Sequence, residues 1–159
     1  MAHWLTNRGK LLLMQGLWDD AGATAVRMGL LEGAAIPAAM DTEAEVQDLN
    51  TVGELLALTG VDEPASGWYT GQGTAGRLNL TRTNAAEDDT NNRVNLDASD
   101  LTWTAATAGD DLYGAFWYDA TTDTNDTTRL LCGVITFASV VPTNGSNITV
   151  AITDLIRAS

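Results

Sequence analysis

The glycine-spaced string from Gly71 to Gly76 is the first place in the chain where chemistry could be expected. The residues Gly71-Gln72-Gly73-Thr74-Ala75-Gly76 match the dinucleotide fingerprint, in which a helix N-terminus holds a pyrophosphate. That fingerprint needs a helix directly after it, whereas the alternation of Arg77, Leu78, Asn79 and Leu80 predicts a strand. The string therefore predicts a loop, and we expect no bound dinucleotide or other cofactor.

Carboxylates form the second group of candidates. Adjacent pairs occur at Asp19-Asp20, Asp88-Asp89 and Asp110-Asp111. Neighbouring residues of an extended chain point to opposite faces, so these pairs do not converge across a cleft as acid/base hydrolysis requires.

A threonine-rich loop concentrates three further carboxylates, and it is the candidate cation site. Asp119, Asp123 and Asp126 could collect a calcium ion there, although their spacing departs from that of an EF-hand loop. The competing interpretation is a solvated acidic loop. We adopt it and predict no bound metal.

The residues that usually act as nucleophiles and bases are nearly missing. Cys132, the only cysteine, lies in an apolar run, which predicts a buried side chain rather than a nucleophile. His3, the only histidine, is expected at a mobile terminus, which excludes histidine-based triads and multi-histidine metal sites. No nucleophile elbow and no lysine-bearing phosphate loop occurs. We therefore predict that the protein is not an enzyme and has no catalytic residues.

Aromatic residues are the remaining candidates, and they suggest binding. Trp117 lies in a run whose aromatic side chains alternate between two faces, so that one face could pack the core and the other a partner. Together with Trp68 and Tyr69 it forms the set of interface candidates. Core packing is the alternative use of Trp117.

The charge balance excludes several classes of partner. The protein has 21 acidic and 8 basic residues, which gives a net charge of −13. So negative a surface repels phosphate backbones and anionic headgroups, which disfavours DNA, RNA and membrane surfaces. A signal peptide and a membrane span are not recognisable, so we expect synthesis in a cytoplasm.

The elements that position these residues are mostly β-strands. A protein of 159 residues can bury roughly 70% of its unfolded surface, which suits a single domain over residues 1–159. We predict a helix over residues 7–18 capped by Asn7, and a strand over 24–31. A helical insertion over about residues 41–59 carries capping boxes at Thr42 and Thr51, is terminated by Gly60 and covers one end of a sheet.

The rest of the sequence predicts strands and turns. Residues 78–80 and 94–96 are expected to pair as a hairpin around a solvated acidic connection, and a bulge at 97–100 directs Trp103 to the core. Residues 112–118 and 130–138 are apolar on both faces, as in central strands or strands covered by a neighbour. Further strands are predicted at 77–83, 93–97, 101–104 and 147–156. The fold class is mainly β, an antiparallel sandwich of immunoglobulin-like or jelly-roll-like type.

The order of seven segments carries a resemblance: residues 6–10, 25–31, 68–70, 92–94, 100–104, 113–118 and 133–137. This order resembles small virion structural proteins of tailed bacteriophages, of the capsid decoration (cement) type. The resemblance implies a non-enzymatic protein on the outer capsid surface that stabilises the head, with the major capsid protein and copies of itself, as a trimer, for partners. The alternative is a tail or fibre module that recognises a host surface glycan through Trp68, Tyr69 and Trp117. The helical insertion departs from the family pattern.

Overall fold

Antiparallel β-strands are the main secondary structure in a computed structural model, which describes residues 2–14, 26–69, 76–82, 86–90, 93–121, 125–152 and 156–158. The strands are β1 (Ala2–Leu5), β2 (Val26–Glu32), β3 (Leu78–Asn79), β4 (Ala86–Asp88), β5 (Arg93–Leu96), β6 (Leu101–Trp103), β7 (Asp111–Asp119), β8 (Leu131–Pro142), β9 (Ile148–Val150) and β10 (Ile156–Ala158). The α-helices are α1 (Asn7–Met14), α2 (Glu43–Val46) and α3 (Val52–Leu56), and a 3-10 helix spans Ala38–Met40.

The largest sheet has five strands in the order β1-β8-β7-β2-β3. Its centre is β7, which pairs with β2 through Leu30 and Ala115 and with β8 through Phe116 and Val134. Residues 112–118 are all buried, because both faces of this strand are covered. The prediction of central strands at 112–118 and 130–138 is therefore confirmed.

Two apolar clusters lie against this sheet. One joins Met28, Leu30 and Trp117 to residues of the β6–β9 ribbon, including Trp103 and Val150. The other joins sheet residues to the helical insertion, and its members include Leu31, Phe116, Val134, Met40, Val46 and Leu55. The mainly β, antiparallel, sandwich-like fold class is thereby confirmed. The insertion covers a face of the sheet and not its end, because its apolar residues pack on β2, β7 and β8.

A close approach between strands fixes one glycine of β2. A Cβ built on Gly29 would lie 2.5 Å from the ring of Phe116 and 2.9 Å from the hydroxyl of Tyr69. The glycine therefore allows an aromatic ring of β7 to approach the backbone of β2 closely.

Local helix signals were predicted well, with two corrections. Helix α1 begins at Asn7, but Thr6 caps it: its Oγ1 accepts the N–H of Gly9 at 2.8 Å, while the Asn7 amide donates to Asp48. Residues 15–18 lie outside the described part of the protein.

Both predicted capping boxes of the insertion form, at Thr42 and at Thr51. Helix α3 ends at Leu56, so Gly60 does not terminate it; Gly60 lies in the following turn with φ of 79°.

Strand pairing differs from the predicted hairpin. Strand β3 pairs with β2, whereas β5 pairs with β4 and β10, so residues 78–80 and 94–96 do not pair with each other. The acidic segment expected to be a solvated connection contains β4. The predicted strand over 147–156 is divided between β9, which pairs with β6, and β10. His3, expected at a mobile terminus, lies in β1 opposite Ile135.

Candidate functional site

A buried ionic cluster is the most concentrated group of charges that the structure describes. It comprises Glu63, Arg77, Asp126 and Arg129, hereafter the Arg77 cluster. The Arg77 guanidinium donates through Nε to Glu63 Oε1 at 2.8 Å and through Nη2 to Glu63 Oε2. It also donates through Nη1 and Nη2 to the two Asp126 oxygens, at 2.6 and 2.9 Å, so that both carboxylates are bound bidentately.

Aromatic rings of β7 form the floor of this cluster. The Arg77 guanidinium carbon lies 5.1 Å from the centre of the Phe116 ring and 5.3 Å from that of Tyr118. Arg129 lies over Tyr118 at 5.5 Å and donates to Asp126 at 2.9 Å. Two cations over aromatic faces, paired with two carboxylates, form a neutral group that fixes three separate loop segments on the sheet.

The Tyr69 hydroxyl connects this cluster to the edge of β2. It donates to Glu63 Oε1 and accepts the N–H of Leu30 at 3.1 Å. Because β3 pairs with β2 only at Arg27 and Met28, the Leu30 N–H lies beyond the end of β3 and needs another acceptor. Burial, with the neighbouring Glu63 charge, raises the pKa of Tyr69, so the hydroxyl remains a donor at neutral pH.

The protonation states in the cluster follow from its pairing. Burial alone would raise the pKa of Asp126, but hydrogen bonds and charge from Arg77 and Arg129 outweigh it and hold that pKa below the ordinary value. Burial alone would likewise lower the pKa of Arg77, and the bonds to Glu63 and Asp126 reverse that effect. Arg77 and Asp126 are therefore both charged at neutral pH, and the cluster brings together two guanidinium groups and two carboxylates.

The predicted cation loop is only partly described. Asp126 belongs to the Arg77 cluster, and both its oxygens accept from guanidinium groups. Asp119 accepts the N–H of Thr121 at 2.8 Å, and Asp123 lies outside the described residues. Over the described residues, no group of three or more His, Cys, Asp or Glu residues could hold a metal ion.

The aromatic interface candidates lie in different environments. Trp117 and Tyr69 are each only 2% exposed, and both pack in the first apolar cluster. Trp68 is partly exposed, and its Nε1 donates to Asp110 Oδ2 at 2.6 Å. The three rings therefore do not form one exposed platform, because the sheet buries two of them; core packing, the alternative for Trp117, is where the structure places it.

Asp110 and its neighbours form a second polar group, at the start of β7. Its carboxylate accepts from Ser66 at 2.7 Å as well as from Trp68, while its backbone N–H donates to Thr143 Oγ1 at 3.0 Å. Desolvation, followed by the charge of Asp110, raises the pKa of nearby Glu32. The hydrogen bonds from Ser66 and Trp68 hold the Asp110 carboxylate in a fixed orientation.

The other sequence candidates have structural roles where they are described. Cys132 is fully buried, as predicted, and burial raises the pKa of its thiol. Residues 71–75 of the glycine string lie outside the described part; the carbonyl of Gly76 accepts from Trp103 Nε1 at 2.6 Å. Asp19-Asp20 also lies outside it, as does the side chain of Asp88.

Sequence reasoning did not find the Arg77 cluster. Glu63, Arg77 and Asp126 are far apart in the sequence, and no motif links them. The spacing of Asp126 and Arg129, three residues apart, was the one local signal of an ion pair.

Comparisons of the protein with protein-family models, with curated proteins and with solved structures find no match. Among the described helices, none is long and apolar enough to cross a membrane.

Proposed function

We propose that this is a non-enzymatic structural protein of a tailed-phage virion, a decoration protein that binds the outside of the capsid and stabilises it. The observation that carries the proposal is the distribution of charge. Two of the basic residues, Arg77 and Arg129, are buried in an internal neutral cluster. Because two carboxylates balance these two cations, the net charge of −13 is carried by the remaining residues, of which 6 (8 − 2) are basic and 19 (21 − 2) are acidic.

The helical insertion is a strongly acidic part of the surface. No Lys or Arg occurs from Met28 to Gly76. Its exposed carboxylates are Asp41, Glu43, Glu45, Asp48 and Glu54. The structure describes one ion pair for these carboxylates: Lys10 lies 3.9 Å from Glu43, and both side chains are exposed. Such an exposed pair contributes little to stability. Such a face is repelled by packaged DNA, which supports a position outside the capsid with the insertion turned away from the shell.

The way in which the buried charges are used also supports a structural role. The carboxylates of Glu63, Asp110 and Asp126 are all bound by donors of the protein itself, and these bonds hold loops to the sheet. A catalytic acid or base has to reach a substrate proton, which these groups do not.

The partners of this role are the major capsid protein and further copies of the same protein, as a trimer. Leu11, at 42% exposure, is the single large hydrophobic residue exposed over the described residues. We therefore expect a polar interface of about 1,200–2,000 Å² for each copy, which acts through its repetition over the shell.

Co-sedimentation with heads tests the proposal. Purified protein is mixed with expanded heads, unexpanded proheads and isolated tails, and binding is expected to expanded heads. The variant Asp41→Asn/Glu43→Gln, which reduces charge on the insertion, should bind equally well if the insertion faces outward. Absence of binding to heads, together with virions that lack the protein yet resist heat and chelator like wild type, would refute the proposal.

Trp68 supports the second candidate, a tail or fibre module that binds a host glycan. Its ring is partly exposed and its orientation is fixed by Asp110, as a stacking surface for a sugar requires. Binding to a glycan array that is lost in Trp68→Ala, with the protein located at the tail tip, would favour this candidate over the first.

A further inference from the structure

The turn between β8 and β9 contains the one place in the sequence where asparagine is followed directly by glycine, Asn144-Gly145. A glycine nitrogen is unshielded, because no side chain stands beside it. We propose that Asn144 is a self-modification site, at which the folded protein deamidates to aspartate and isoaspartate. We further propose that the hydrogen bond from the Gly145 N–H to the Ala106 carbonyl sets the rate. Nothing in this inference depends on a role in a virion.

The reaction needs only water. A base removes the Gly145 amide proton, and the nitrogen forms a bond to Cγ of Asn144. The bond between Cγ and Nδ2 of Asn144 breaks, and the amide nitrogen leaves as ammonia, which gives a cyclic imide. Water then adds to either carbonyl of the ring, one bond between that carbonyl carbon and the ring nitrogen breaks, and the Gly145 nitrogen regains a proton. One water is consumed and one ammonia is released, with no oxidant or reductant.

The local geometry favours the attack. Asn144 is exposed, and its Oδ1 accepts the N–H of Ser146 at 3.0 Å. This bond polarises the carbonyl of the carboxamide and holds that group folded over the following peptide, as in an Asx-turn. Gly145 has φ of 91°, and no atom outside its chain neighbours lies within 4 Å of where a Cβ would be, so other segments do not crowd this side of the Gly145 backbone.

The opposing loop restrains the same nitrogen. The Gly145 N–H donates to the Ala106 carbonyl at 2.7 Å, and this bond must break before the nitrogen can attack. Ala106 in turn donates to the Ser146 carbonyl at 3.1 Å, and the Ala105 N–H donates to Asn147 Oδ1 at 3.1 Å.

Ala105 favours the opening of this loop pair. It has φ of 52°, a left-handed conformation that is disfavoured for alanine. Opening the loops relieves that strain, which favours the opening of this pair.

Asn147 is a matched control within the same turn. It is exposed like Asn144, but the following residue is Ile148, whose branched side chain shields the nitrogen. No Lys or Arg lies between Arg129 and Arg157, so one tryptic peptide contains both asparagines.

The test is a time course in mildly alkaline buffer, with and without urea, read by fragmentation mass spectrometry that separates aspartate from isoaspartate. In the folded protein Asn144 should convert well before Asn147, with isoaspartate in excess, and urea should accelerate its conversion several-fold. Ala105→Gly should slow the conversion of the folded protein by about fivefold and leave the rate in urea unchanged. Equal conversion of Asn144 and Asn147 in the folded protein would overturn the site, and equal rates with and without urea would overturn the control by Ala106.

Discussion

Asp126→Asn is expected to lower the free energy of unfolding by about 3 kcal/mol, because it removes the charge that two guanidinium groups share. The Arg77 side chain is 0% exposed and would keep Glu63 as its remaining carboxylate. Breaking a buried ion pair costs roughly 3–5 kcal/mol. The lower end applies because the Asp126 side chain is 10% exposed and the asparagine keeps one oxygen that can accept a hydrogen bond. In a protein of this size the loss corresponds to a fall in Tm of about 6–12 °C.

Urea unfolding at neutral pH measures this loss, and Asp89→Asn is the control. Asp89 is exposed, so the control makes the same change in net charge without touching the Arg77 cluster. In an Arg77→Met background, Asp126→Asn should cost less than it does alone, because its partner has gone. Losses in the two asparagine variants that agree within about 0.5 kcal/mol would refute the assignment of the cluster as a stabilising unit.

The same variant has a defined pH dependence. The pKa of Asp126 is lower in the folded protein than its ordinary value, so its stabilisation is complete above about pH 5. It is lost as the pH falls through the lower folded-state pKa. The difference between wild type and Asp126→Asn should therefore be constant from neutral to alkaline pH and shrink in acid; a difference that grew in acid would contradict this sign.

Three further predictions concern packing, capping and reactivity. Gly29→Ala should destabilise by about 1–3 kcal/mol or more, because the added methyl overlaps an aromatic ring of β7, whereas Gly67→Ala, with no atom within 4 Å, should have little effect in the same thermal melts. Thr51→Ala removes the hydroxyl that accepts at the start of α3 and should cost about 1 kcal/mol in urea unfolding, with exposed Thr59→Ala as control. Iodoacetamide should label Cys132 only after unfolding, since the thiol is buried and its pKa is raised; rapid labelling of the native protein would contradict its burial.

Features specified by neighbouring residues could be predicted from the sequence. The capping boxes depend on residues three apart, and both were located correctly at Thr42 and Thr51. The continuous apolar runs of β7 and β8 likewise indicated strands that are buried on both faces. Such strands predicted the mainly β fold class.

Features that depend on distant residues could not. The alternation of Leu78 and Leu80 is compatible with more than one partner strand. Strand β3 pairs with β2 because β7 occupies only the other edge of β2. The Arg77 cluster forms because three loops come together over the rings of Phe116 and Tyr118. No spacing of residues in the sequence indicates that these loops are neighbours. The candidate site was therefore the part least accessible to sequence reasoning.

The strand order of the large sheet has a consequence for the growing polypeptide. Strand β2 is complete at Glu32, but its partner β7 begins at Asp111, and β1 pairs with β8, which ends only at Pro142. During synthesis the apolar residues of β2 therefore cannot be covered by β7 until most of the sequence has been made. Such non-local pairing makes folding slow. Strand β7 pairs with β8 as far as Pro142, so a fragment that stops earlier leaves β7 without its full length of partner. The shortest fragment able to assemble the whole of this sheet must therefore extend at least to Pro142.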